Sequence, residues 1–397
     1  MNNITMFDVG VEVPHFIKYM GSKKKIINFV VEGINEVNTG GPVCDLFAGS
    51  SVLSGVLRNQ VEIISNDIQA YSAVLANAYL TDYPWNSYPS LIQNIMQSAN
   101  QKVNDFLGAF PQFDFNYNRE FTLEEFISLE EAQRRLINFD FSKFDYHLFT
   151  KNYSGTYWSY NQCVWIDAIR AVAEEYRQTP FYYAILASLM FAMSYNSQST
   201  GHYAQYRDAT NQSSMNDILL YRQKEIAPFF QRKMEELQQT LGNNNYSFTT
   251  YSLDYRDCLE KIPEKSVVYA DPPYAFVHYS RFYHAIETLV KYDYPDVQHK
   301  GRYRGDRHQS PFCIKTQVEG AFHEMFTRIQ KKQANLVLSY SNTGMIALED
   351  LVDLATSTLG NQYKIDVRTV DYLHSTMGRR EDKSRSVQEA VILAKQK

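Results

Sequence analysis

The chain has 397 residues, enough for a large core and a length at which two or three domains are expected. Its composition, 44% hydrophobic and 21% charged with 12 Pro and 17 Gly, excludes a disordered or collagenous chain. A net charge of −5 argues against indiscriminate binding to polyanions and leaves room for local basic patches.

From the N-terminus, residues 24–37 carry apolar side chains at helical spacing. Gly40, Gly41 and Pro42 break that helix, and residues 43–47 form a short apolar strand. A small-residue turn at 48–50 leads into a helix through residues 52–57. A second strand follows at 61–65 and a second helix at 68–80. Strand, turn, helix and strand at this spacing open a parallel, doubly wound sheet. From Thr81 the character changes to a mainly helical, aromatic stretch. Thr122 followed by Glu125 marks a capped helix over 122–139, and residues 218–241 read as an amphipathic stretch interrupted at Pro228. The run FYYAILASLMFAM at 181–193 is too short for a membrane span and reads as a buried helix. Gly242 and the three asparagines after it form a turn. Strands return at 246–253, 267–270, 334–340, 363–372 and 387–393. The expected architecture is therefore α/β: residues 1–80 and 246–397 form one sheet domain, interrupted by a helical insert over 81–245.

Four scattered cysteines lack metal-ligand spacing, so neither a zinc site nor a disulfide framework is expected. The first ten residues show neither the basic nor the apolar run of a secretory signal, and a cytoplasmic, reducing compartment is expected.

In open α/β sheets ligands bind outside the carboxyl ends of the strands. Three acids end up there: Asp45 in DLFAGSS, Asp67 in ISNDIQ, and Asp271 in SVVYADPPYAF. The glycine turn after Asp45 lets a polar ligand approach backbone N–H groups, and an acid about 20 residues on is placed to read ribose hydroxyls. In DPPY each proline fixes its own φ and biases its predecessor toward extended backbone, giving a stiff lip. The Asp271 carboxylate and Pro272 carbonyl are acceptors on that lip, and Tyr274 adds a ring for stacking. Acceptors beside an aromatic face suit a planar substrate bearing an amine.

Together these motifs resemble those of the D12 class of DNA adenine-N6 methyltransferases, the Dam-like group with α-order motifs. KYMGSK at 18–23 resembles its N-terminal motif, DLFAGSS its S-adenosylmethionine loop, NDI its ribose-binding acid and DPPY its catalytic motif. LSYSNTG at 338–344 and VQEAVIL at 387–393 resemble later strand motifs. The resemblance implies a Rossmann-like S-adenosylmethionine-dependent sheet with a target-recognition region in the insert. It implies that Tyr19, Lys23, Asp45, Gly49, Asp67, Asp254 and Asp271 surround the cofactor, and that Asp271, Pro272 and Tyr274 act on a flipped-out adenine. Ser51 departs from the family, which usually has a second glycine there. The implied partner is double-stranded DNA, with a restriction endonuclease as a possible genetic associate. The expected DNA contacts are Tyr279, which with Tyr283 and His284 either closes over the base or belongs to the core, closure being favoured, and two basic loops. HKGRYRGDRH at 299–308 supplies Arg302, Arg304 and Arg307, and RREDKSR at 379–385 supplies Arg379, Arg380 and Lys383. The competing readings are an N4-cytosine methyltransferase, which more often carries Ser at the Asp271 position, and a catalytically idle DNA-binding protein of the same fold.

Overall fold

A computed structural model describes residues 6–19, 26–198, 202–273, 279–342, 344–374 and 385–397. Seven strands form one sheet: β1 (Val43–Asp45), β2 (Ile63–Asn66), β3 (Phe248–Tyr251), β4 (Val267–Ala270), β7 (Asn335–Ser341), β8 (Tyr363–His374) and β9 (Arg385–Gln396). A separate antiparallel pair is made by β5 (Val297–Gln298) and β6 (Tyr303–Arg304). The sheet order is β3-β2-β1-β4-β7-β9-β8. The five strands from β3 to β7 pair in parallel, and β9 and β8 close that edge antiparallel. The chain order reverses between β1 and β4, the switch point where doubly wound sheets bind ligands.

Successive side chains of a strand point to opposite faces, and the core divides accordingly. Val43, Ile63, Val267 and Val337 join helices Ile27–Val37 and Ala70–Leu80 on one face. Cys44, Ile64, Val268 and Leu336 join helices Tyr255–Lys261, Val318–Lys331 and Leu348–Leu359 on the other. Burial on both faces explains why β1 and β4 read as unbroken apolar runs in the sequence.

Among the described residues, 81–245 add no strand to the main sheet. Their helix Phe181–Asn196, apolar all round, shares the core of the first face with Val74, Leu75 and Ala78. No helix among the described residues is long and apolar enough to cross a membrane. The Thr122 capping box forms as expected, with Thr122 Oγ1 accepting from Glu125 N. The expectation for residues 218–241 needs correction. The break falls at 223–225, between helices Gln212–Arg222 and Ile226–Thr240, and Pro228 sits in the first turn of the second. There its missing N–H has no intrahelical acceptor to lose.

Residues 81–245 meet the chain that follows β4 at a seam built on Asp167, which is buried in helix Tyr160–Glu175. Its carboxylate accepts from Phe149 N (2.9 Å), Thr150 N (2.8 Å), Thr150 Oγ1 (2.7 Å) and Tyr292 Oη (2.5 Å). Tyr292 belongs to the chain that follows the DPPY lip, so one side chain ties the insert to that chain. Replacing Asp167 by Ala leaves these donors unsatisfied inside the protein. It is expected to cost about 3 kcal/mol or more in denaturant unfolding, with Asp167→Asn milder; a loss below about 1 kcal/mol would remove Asp167 as the seam's anchor.

Candidate active site

β1 and β4 are adjacent and in register, Asp45 beside Tyr269, and Leu46 N donates to Tyr269 O at 2.9 Å. Asp45 therefore ends β1 just short of where Asp271 leaves β4. Asp67 follows the last residue of β2, the other neighbour of β1. All three acids line one cavity of about 1160 Å³, counted with its open mouth. Tyr19, Gly49, Asp254, Pro272 and Tyr279 line it too.

Each acid is held differently. Asp67 Oδ2 accepts from Gly49 N at 2.9 Å and Oδ1 from Gln69 N at 2.9 Å. Burial nonetheless pushes its pKa up to about 6, against the pull of those two N–H groups. Asp45 is 2% exposed, and its Oδ1 is buried without a hydrogen-bond partner. Burial, then the charges of Asp271 and Asp67, raise its pKa well above the usual carboxylate range. Asp254 caps helix Tyr255–Lys261 by accepting from Arg256 N at 3.0 Å and also pairs with the Arg256 guanidinium.

The turn between β1 and helix Val52–Leu57 is left-handed at Gly49 (φ 53°) and at Ser51 (φ 56°). A Cβ on Gly49 would fall 2.7 Å from Tyr19 Oη, so this glycine is required twice over. Ser51, the departure from the family's glycine, adopts the glycine-like conformation. Its Oγ donates to Ser72 O at 3.0 Å, a bond glycine could not make. The turn is thus made left-handed with serine at this position.

Two supports escaped sequence reasoning. Asn66 Nδ2 donates to Leu46 O and Leu253 O, both at 3.1 Å, while its Oδ1 accepts from Leu253 N. It clasps the ends of β1, β2 and β3 together, and the only signal was a polar residue closing an apolar strand. Glu287 accepts from Ala70 N (3.2 Å) and Tyr71 N (3.1 Å), capping helix Ala70–Leu80, which has no side-chain cap of its own. No local pattern could disclose a cap lying 217 residues away.

Tyr19 stacks on Tyr283 (4.7 Å) and Tyr279 (5.7 Å), which joins the N-terminal motif to the helices after DPPY. Tyr279 faces the cavity. The expectation that Tyr283 and His284 close over a base is corrected, because both are 1% exposed core residues. His284 Nε2 donates to Tyr203 O at 2.8 Å, and burial lowers its pKa to about 3, so it stays neutral.

The first basic loop is also corrected. Arg304 is buried and bound by Asp293 (2.6 and 2.7 Å) and Asp306 (3.0 and 3.1 Å), which leaves it no free edge for a phosphate. Arg302 gives its guanidinium to the carbonyls of Asn152 and Arg134, so it too holds the seam instead of DNA. Arg307 remains partly exposed. Lys23, Tyr274, Arg379, Arg380 and Lys383 lie outside the described residues.

This geometry, carboxylates at the ends of three neighbouring strands around one cavity, agrees with the comparison to known proteins. The D12 class N6 adenine-specific DNA methyltransferase family matches residues 19–352, and the chain belongs to that family. Modification methylase LlaI of Lactococcus lactis subsp. lactis is 24% identical over 85% of this chain and 48% of its own length. Type II methyltransferase M.FokI of Planomicrobium okeanokoites is 24% identical over 86% and 47%. M.NlaIII of Neisseria lactamica is 24% identical over 84% of this chain and 85% of its own length. The chain spans about half the length of the first two.

The family implies a methyl donor, and the cavity fits a cationic one. Asp45 Oδ1 is a buried acceptor without a donor, and burial, then the charges of Asp271 and Asp67, oppose its ionisation, an effect that a cationic ligand would offset. If Asp67 receives two hydroxyl groups of the donor, it must be ionised. Donor affinity is then expected to fall as pH drops through about 6, where the proton occupies the acceptor. Calorimetric titration of S-adenosylhomocysteine between about pH 5 and 7.5 checks this: the step should vanish in Asp67→Asn, and a flat wild-type profile would refute it.

Proposed function

We propose that this protein transfers a methyl group from S-adenosylmethionine to N6 of an adenine flipped out of double-stranded DNA. The observation that carries this reading is the convergence of Asp45, Asp67 and Asp271 on one cavity at the β1–β4 switch point, with the Asp271-Pro272-Pro273 lip as part of its wall. Bound there, S-adenosylmethionine supplies an electrophilic methyl group. Asp67, held by Gly49 N and Gln69 N, receives the ribose hydroxyls, and the buried Asp45 offsets positive charge.

The amine of adenine is a poor nucleophile because its lone pair is delocalised into the ring. The Asp271 carboxylate and Pro272 carbonyl accept its two N–H groups, turn the lone pair out of conjugation and stabilise the charge developing on nitrogen. Asp271 acts by orientation and charge, so it needs no strong basicity. Holding nitrogen and methyl in line supplies much of the acceleration; the N–C bond would form as the C–S bond breaks, leaving a neutral thioether, and the amine would then shed one proton by way of Asp271 to solvent. The prolines matter because they fix the two acceptors before substrate arrives.

Adenine reaches such a pocket only when extruded from the duplex. Tyr274 and Tyr279 supply aromatic faces for it, and stacking of this kind contributes roughly 1–3 kcal/mol per base. We assign target recognition to the insert, residues 81–245, where Asn, Gln and Arg side chains are suited to reading base edges. The relatives named above, all modification methylases or type II methyltransferases, support a restriction-modification setting with a cognate endonuclease.

The test is direct. Unmethylated genomic DNA is incubated with methyl-labelled S-adenosylmethionine and digested to nucleosides. Label is expected in N6-methyladenine, falling at least 100-fold in Asp271→Ala, roughly the loss of a key transition-state acceptor. Label in N4-methylcytosine, or none, would refute the reading, and sequencing the methylated DNA gives the recognition site.

A further inference from the structure

The cavity is acidic, lined by Asp45, Asp67, Asp254 and Asp271, yet the proposed substrate is a polyanion. Something at its mouth has to make phosphate welcome. Most cations nearby are already engaged: Lys300 and Arg134 pair with Asp208, Arg207 with Asp217, and Arg304 with Asp293 and Asp306. Arg281 and Arg307 stand apart, since neither has a carboxylate partner among the described residues. Arg281 is exposed and Arg307 partly so.

The two share a platform. Their guanidinium carbons lie 5.4 and 4.8 Å from the centre of the buried Tyr303 ring. Arg281 Nε donates to Tyr303 Oη at 3.0 Å, and that hydroxyl donates onward to Ala204 O. Arg307 Nε donates to Arg304 O at 3.3 Å. Their chain neighbours, Ser280 and His308, both line the cavity, and Ser280 Oγ donates to His308 O at 2.7 Å. That bond fastens the two arginine-bearing segments to each other at the mouth.

The platform is also rigid. Tyr292, Tyr294, His299 and Arg302 all hold positive φ, a strained state for residues with side chains. The insert holds three of them, through Asp167 on Tyr292, through Asp145 O and His147 N on Tyr294, and through the carbonyls that receive Arg302. Two unspent guanidiniums fixed on one ring suit a group with two anionic oxygens.

We propose that Arg281 and Arg307, seated on Tyr303, clamp the phosphodiester of the nucleotide whose base enters the cavity. This rests on the function proposed above and adds a phosphate site to it. The clamp steadies the backbone where it is distorted by base extrusion, and it offsets the repulsion of the cavity acids.

The test compares wild type, Arg281→Gln, Arg307→Gln and the double variant. Lys331→Gln is the control, removing an exposed cation at the end of helix Val318–Lys331 that pairs with Glu260. Binding to unmethylated genomic fragments is measured against salt concentration. Each single variant should flatten the log–log slope in part and the double variant by about one, the value for a single phosphate. Each single loss should also lower kcat/KM for DNA about tenfold, leaving the donor KM and the control unchanged. On the recognition duplex, an uncharged methylphosphonate beside the target adenine should weaken wild type and add little to the double variant's defect. An unaltered salt slope in the double variant, or an undiminished methylphosphonate penalty there, would overturn the clamp. Altered folding alone would shift the melting temperature without changing the slope. If wild type binds with the expected slope but labels no adenine, the methyltransferase reading fails while the slope still judges the clamp.

Discussion

Three carboxylates brought to one cavity at the edge of the sheet constrain everything else in this protein. Asp45 buries an oxygen with no donor, Asp67 is held against the cost of burial by two backbone N–H groups, and Asp271 adds its field to Asp45. Such an arrangement costs folding free energy. Strand register enforces it: β2, β1 and β4 are parallel neighbours, and each delivers its acid to the same edge. Asn66 and Glu287 add the stiffness that keeps the edge from relaxing. A site that withstands its own repulsion is pre-organised for a cationic ligand, which the proposed methyl donor is.

The second constraint is the seam. The chain leaving the DPPY lip does not return at once to the sheet. It runs through helix His284–Lys291 and the β5–β6 pair, where insert residues grip it. Tyr292 bonds to Asp167 and Arg302 to two insert carbonyls, so the geometry of the cavity mouth depends on the insert. In the proposed function this couples reading of the target sequence to presentation of the base. A displaced insert would drag the mouth with it.

Much of this was legible in the sequence, for identifiable reasons. β4 was placed at its observed bounds because a strand buried on both faces is a continuous apolar run and the prolines stop it sharply. The acids at strand ends were legible because fold topology alone dictates where ligands bind. Basic residues were misread in the 299–308 segment, since local sequence cannot tell a spent guanidinium from a free one. Arg304 looks as available as Arg307 until Asp293 and Asp306 are seen around it. Arg281 was missed for the converse reason, a lone cation in an aromatic segment. Pro228 was read as a break because helix starts and helix interruptions carry the same residue. Asn66 and Glu287 act across long sequence separations that no window reveals.

The central claim is that the cavity grips an amine at one defined place on a purine ring. It is tested most directly by moving that amine. A recognition duplex with 2-aminopurine at the target position keeps the ring and its pairing with thymine but carries the amine at C2. Presented beside the adenine duplex with labelled S-adenosylmethionine, the 2-aminopurine duplex should bind comparably and acquire no methyl group, while the adenine duplex is methylated. Methyl transfer to 2-aminopurine at a comparable rate would contradict the account, because Asp271 and Pro272 could not then be what selects the nitrogen.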